Sequence, residues 1–111
     1  MLRFPPAFVA GRRRDLLRRG RVLADALADL LAGKHPPALE ELLRPGIRPE
    51  EAVRKALDQV ERRRELLDAG DDRYGRCDVC GLDLGPTVLT DMAWADRCVD
   101  HVGGAGGDPR D

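Results

Sequence analysis

The sequence predicts a mainly α-helical fold: an antiparallel, coiled-coil-like helical hairpin followed by a small cysteine-bearing module at the C-terminal end. Three observations carry this expectation. Leucines recur at heptad spacing in residues 11–32, and a second helical period runs through residues 49–69. Beyond both lies a short stretch in which all three cysteines occur. The composition agrees, since charged residues make up 35% of the 111 and aromatics only 4%. Helices built on Arg, Glu, Leu and Ala suit that balance better than a β-sandwich with an aromatic core. A chain this short buries a modest core and is helped by a staple.

Residues 1–10 form an N-terminal arm whose apolar part is Phe4, Pro5, Pro6 and Phe8. Its chemistry leaves two roles open, packing on the hairpin or joining two copies in a homodimer. From Gly11 to Ala32, Leu16, Leu23 and Leu30 repeat every seven residues with Leu27 between them. That is the seam of a helix that seeks a partner helix. Gly20 lies on the same seam, where it costs about 1 kcal/mol relative to Ala and permits close approach. Gly33 ends the helix, and Pro36 and Pro37 prevent its return. Residues 37–44 predict a short helix in the connection, with Leu39, Leu42 and Leu43 on one face, until Pro45-Gly46 breaks it. The second long helix runs from Pro49 to Ala69. Proline suits its first position, and Glu50 and Glu51 complement the dipole. Val53, Leu57, Val60 and Leu67 form its stripe, with Ala52 and Ala56 beside it. Neither helix is stable alone, so the two stripes pack together in a hairpin spanning residues 11–70. Residues 71–102 form the cysteine module, and residues 103–111 (GGAGGDPRD) read as a flexible tail.

The cysteine module has the order Cys77-x2-Cys80, 17 intervening residues, then Cys98-x2-His101. Two ligands separated by two residues hold one ion from a tight turn, and a second such pair closes a tetrahedron. Three thiolates and an imidazole with no open position suit one structural Zn²⁺. Three buried free cysteines, an iron–sulfur cluster, or a fourth ligand from water or Asp100 are the weaker alternatives. Catalytic zinc needs an open position and a nearby base, and the His-x-Glu and Pro-Cys-x-x-Cys segments of nucleoside deaminases are both missing. Every cysteine and His101 being committed to metal, no nucleophile–base set remains. The expectation is therefore a non-enzyme without a small-molecule substrate. The odd cysteine count argues for metal over disulfides, and so for a reducing cytoplasm. No stretch reaches the roughly 20 apolar residues of a membrane span, and Met1–Ala10 is too short and proline-rich for a signal core.

From Tyr74 the chain reads YGRCDVCGLDLGPTVLTDMAWADRCVDH. This resembles the zinc finger of DksA/TraR-type transcription factors. Tyr74, Gly75, Cys77, Cys80, Gly81, Leu84, Leu89, Ala95 and Cys98 match the family pattern, and the 17-residue spacer has the family length. Val88 stands where the family has Arg, Asp91 and Ala93 replace its Ala and Pro, and His101 replaces its last Cys. The last change preserves zinc chemistry. The resemblance implies a regulator that binds bacterial RNA polymerase, with the hairpin in the secondary channel and acidic residues at its tip. The family's Asp-x-x-Asp-x-Ala tip motif is absent. Glu40, Glu41, Glu50 and Glu51 are the acids that the connection offers instead, and ordinary dipole complementation at helix starts is the plainer reading of them.

Net charge is −1, unevenly spread: residues 1–21 hold seven Arg and one acid, a net +6, so the remainder carries −7. Arg12, Arg13, Arg14 and Arg62, Arg63, Arg64 are two basic triplets that an antiparallel hairpin brings together at its open end. They form a candidate contact with nucleic-acid phosphates or an acidic protein face. Asp15, Glu61, Glu65 and Asp68 offset part of that charge. Two further classes of function therefore stand beside a polymerase-binding regulator. One is a zinc-stapled protein–protein adaptor, and the other is a nucleic-acid-binding module.

Overall fold

The computed structural model of the chain describes residues 4–102, so the tail expected at 103–111 lies outside the described residues. The protein is mainly helical, with no strand among the described residues. In chain order the elements are α1 (Pro6–Leu31), a 3-10 turn (Pro37–Leu39), α2 (Pro49–Asp68), α3 (Pro86–Asp91) and α4 (Val99–Val102).

Helix α1 starts at Pro6, earlier than the Gly11 expected from the heptads. Pro5 is extended and Pro6 occupies the first helical position, where its missing N–H costs nothing. The amide of Val9 closes the first turn on the Pro5 carbonyl at 3.1 Å. Residues 6–10 of the arm are therefore helix. Phe8 lies on α1, Phe4 stacks on it at 5.0 Å, and Phe4 meets Tyr74 edge-on at 6.1 Å. These rings cover the protein's own core.

The connection is shorter in helix than its leucines suggest. After Leu39 only single turns close, with the amides of Leu42 and Leu43 both on the Leu39 carbonyl. The Arg44 guanidinium then donates to the carbonyls of Glu41 and Leu43, and Pro45 follows. Leu39 is buried and Leu42 half-buried, while Leu43 is turned out to solvent.

Helix α2 matches its expected start and ends one residue early. Leu16 and Leu23 of α1 and Val53, Val60 and Leu67 of α2 are buried in one cluster, with Leu27, Leu30 and Leu57 at its margin. Full burial of Leu16 or Leu23 contributes roughly 1.5–3 kcal/mol. Along the contact Arg13 pairs with Asp68 at 2.6 Å, and a Cβ on Gly20 would lie 3.7 Å from Val60. Tyr74, Leu89, Ala93 and Ala95 join the same cluster, so the cysteine module and the long helices share one core. No helix among the described residues is long and apolar enough to cross a membrane.

Candidate metal centre

The first ligand pair sits on a tight turn. Arg76 and Asp83 form an isolated antiparallel bridge, and inside it the Cys77 amide donates to the Leu82 carbonyl at 2.8 Å. The Gly81 amide turns back to the Cys77 carbonyl at 2.9 Å. That return requires φ of +78° at residue 81, which glycine adopts without a Cβ clash. The Val79 amide points at the Cys77 sulfur, 3.4 Å away. The second pair opens α4, where the His101 amide donates to the Cys98 carbonyl at 2.9 Å. The two turns are tied together by the Asp78 amide on the Asp96 carbonyl at 2.8 Å.

These turns bring the ligand atoms of Cys77, Cys80, Cys98 and His101 within 4.8 Å of one another. The Cys80 and Cys98 sulfurs are 3.7 Å apart, and Nδ1 of His101 lies 3.2 Å from the Cys98 sulfur and 3.5 Å from that of Cys77. A tetrahedron with metal–sulfur bonds near 2.3 Å and a metal–nitrogen bond near 2.0 Å has edges of about 3.8 Å between sulfurs and about 3.5 Å between sulfur and nitrogen. The set therefore fits a single metal ion, and it is Nδ1 of His101 that faces it. All four sequence-predicted ligands are brought together. Cys77 and Cys98 are buried, and Cys80 is exposed.

Cys77 is biased toward thiolate before any metal arrives. Burial pushes the Cys77 thiol up. The backbone amides of Cys80, Cys98 and Val79, turned toward its sulfur, outweigh that and bring it down to about 6. At Cys80 the Leu82 amide favours thiolate, but burial and the sulfurs of Cys77 and Cys98 raise the thiol above its ordinary value. A bound divalent ion overrides this ordering and deprotonates all three.

Behind the site stands Arg63 of α2. Its side chain is 2% exposed and donates to the Asp78 carboxylate at 2.8 Å, inside the first ligand pair. Its Nε and second terminal nitrogen have no acceptor among the described residues. This corrects the placement of Arg63 in a surface patch, because a guanidinium inside the core meets no partner. The signal was present in the sequence. Residue 63 lies three after Val60 and four before Leu67, on the buried stripe itself.

The other triplet members divide. Arg14 and Arg62 are exposed. Arg12 is largely covered, pairs with Asp15 at 2.9 Å, donates to the Thr90 hydroxyl at 3.1 Å and lies over the Phe8 ring. Arg13 is held by Asp68, and Arg64 by Glu61 and Asp68. The acids of the connection are matched as well. Glu40 meets His35 at 2.9 Å, Glu41 meets Arg19 at 2.5 Å, Glu50 meets Arg54 at 2.8 Å, and Glu51 meets Lys55 at 3.7 Å.

Tyr74 and Trp94, which flank metal ligands in the sequence, take different places. Tyr74 is buried; its hydroxyl donates to the Ala93 carbonyl at 2.8 Å within the module, and its ring meets Phe4, which stacks on Phe8 of α1. Trp94 is half-buried under the Arg19 guanidinium, 4.4 Å from its ring centre. No family model, curated protein or solved structure matches the chain.

Proposed function

We propose that the ion is zinc, one per chain and structural, and that the chain is a non-enzymatic regulator resembling DksA/TraR proteins that binds RNA polymerase. The closed Cys3His set supports zinc: a tetrahedron of sulfur and nitrogen with no remaining ligand position has no place for a substrate. Cys77, Cys80, Cys98 and His101 would hold the ion. It would supply a cross-link between the two turns, and its net −1 charge with three thiolates would face the Arg63–Asp78 pair.

In this reading α1 and α2 are the arms of an antiparallel hairpin with Arg13 and Asp68 at its base, and the hairpin enters the polymerase secondary channel. The observation that carries it is the set of matching positions from Tyr74 to Cys98, now joined to a helical pair by a shared core. Glu40, Glu41, Glu50 and Glu51 are the acids that would act at the tip, each after leaving its partner within the chain. The zinc-loaded protein is expected to co-elute with core RNA polymerase of its own host, and to be displaced by a factor that occupies the secondary channel. Glu50→Ala with Glu51→Ala should alter transcription while leaving co-elution intact. Clean separation from polymerase at micromolar concentration would remove this reading.

A zinc-stapled adaptor for another protein is the second reading, and the absent Asp-x-x-Asp-x-Ala motif favours it. It should bind one defined protein and leave transcription unchanged. Nucleic-acid binding loses ground on the burial of Arg63 and the pairing of Arg12, Arg13 and Arg64.

A further inference from the structure

A groove of about 540 Å³ runs between the connection, α2 and residues 92–97. Its apolar lining includes Leu42, Ile47, Met92 and Trp94, and Met92 is 43% exposed. Four cations, Arg19, Arg44, Lys55 and Arg97, border it against two acids, Glu41 and Asp96.

Both acids are already engaged. Glu41 accepts from Arg19, and Asp96 accepts from the Gln59 side-chain amide at 3.0 Å. The cations are less satisfied. Arg44 gives its protons to backbone carbonyls, and no carboxylate pairs with it among the described residues. Lys55 is 66% exposed and reaches Glu51 only at 3.7 Å. Arg97 has no ion pair among the described residues. Its Nε, like that of Arg19, is buried without an acceptor. Both side chains line the groove, and the chain itself satisfies their guanidinium donors only in part.

We propose that this groove docks an acidic peptide segment of a partner protein, anchored by one apolar side chain. Carboxylates fit the guanidinium forks of Arg97 and Arg44 in two-point geometry, and an apolar side chain fits the Leu42, Ile47 and Met92 lining. Trp94, braced by Arg19, is the kind of rigid aromatic on which such contacts concentrate. Charge complementarity sets the sign of the occupant, and the lining sets its amphipathic character. Single-stranded nucleic acid fits worse, because Arg19 already covers a face of Trp94 on which a base would stack. The groove stands on its own geometry, independent of polymerase binding.

The test uses the full zinc-loaded chain. Trp94 is its only tryptophan, so its emission reports the groove directly. The probes are a synthetic peptide with one Leu flanked by Asp and Glu, the same peptide with Asn and Gln in their place, and inorganic polyphosphate. The acidic peptide should shift the emission saturably and lose affinity as salt rises. The amide peptide should bind about tenfold more weakly, and Arg97→Gln should weaken the acidic peptide by a similar factor. Exposed Lys55→Gln should also weaken it, and that variant stands in if Arg97→Gln fails to fold. Equal binding of both peptides, tighter binding of polyphosphate, or no saturable response would overturn the proposal. Polymerase co-elution is measured separately, so each idea can fail alone.

Discussion

The Arg63 guanidinium, rooted in the C-terminal part of α2, donates to the Asp78 carboxylate at 2.8 Å, between the first two metal ligands. One end of this pair is inside the core and the other is 26% exposed. It is a direct polar tie between α2 and the first ligand turn. Breaking it from the two ends should have unequal effects. Asp78→Ala strands a buried cation and should cost about 3 kcal/mol. Arg63→Met keeps the volume, removes the charge and ends two unsatisfied nitrogens, so its cost should be about 1 kcal/mol. Urea unfolding of the two variants measures the difference, and equal losses would mean that the pair is not the tie described.

Metal removal should be felt beyond the ligand turns. Tyr74, Leu89, Ala93 and Ala95 sit in one cluster with Leu16, Leu23 and Val60, so losing the ion loosens apolar contacts that both helices use. Purified protein is expected to contain one zinc, which Cys77→Ser abolishes. A strong chelator should lower the midpoint of thermal unfolding of the whole protein in a single transition. An unchanged midpoint would show that the helices hold independently of the site. His101→Ala, which removes the only nitrogen donor, should weaken zinc retention at least about tenfold, read by competition with a chromogenic chelator.

The ligand set was legible in the sequence because metal chemistry ties residue type to short spacing: Cys77-x2-Cys80 and Cys98-x2-His101 need only two tight turns. The long helices were legible because Leu16, Leu23, Val53 and Val60 follow a period that packing enforces. The early start of α1 was not, because a run holding Phe4, Pro5, Pro6 and Phe8 looks like a loop until Pro5 and Pro6 prove to be the cap and first position of a helix. The short helix expected at 37–44 was over-read from three leucines, although Leu43 faces solvent. Arg63 was misplaced because charge was given more weight than position. The triplet Arg62–Arg64 looks like a patch in sequence, yet successive helical residues point about 100° apart, and the middle one points inward.

Gly20 is the inexpensive position at which to strengthen the α1–α2 contact. An added Cβ would meet Val60 at 3.7 Å, an ordinary van der Waals distance, and residue 20 has helical backbone. Gly20→Ala therefore adds a methyl group without a clash and removes unfolded-state freedom. It should stabilise the protein by about 0.5–1 kcal/mol, read as a higher urea midpoint at unchanged slope. Destabilisation would mean that the two helices approach more closely there than 3.7 Å allows.

Tyr74 supplies a pH signature, because it is the single tyrosine and is 1% exposed. Burial raises its hydroxyl to about 12, with the Arg12 and Arg63 charges pulling part of the way back. An unfolded tyrosine ionises near 10. Between those values the folded chain keeps a proton that the unfolded chain has lost, so folding is favoured less as pH rises. The contribution of Tyr74 is fully present below about pH 10 and is lost as pH climbs toward 12. Tyrosinate absorbance should therefore rise late, together with the loss of helical circular dichroism. In Tyr74→Phe the hydroxyl bond to the Ala93 carbonyl is gone, and the alkaline loss of stability between those pH values should be shallower. Tyrosinate formation near pH 10 in protein that is still helical would mean that the ring is open to solvent, and the anchoring of the module on α1 through Phe4 and Tyr74 would have to be redrawn.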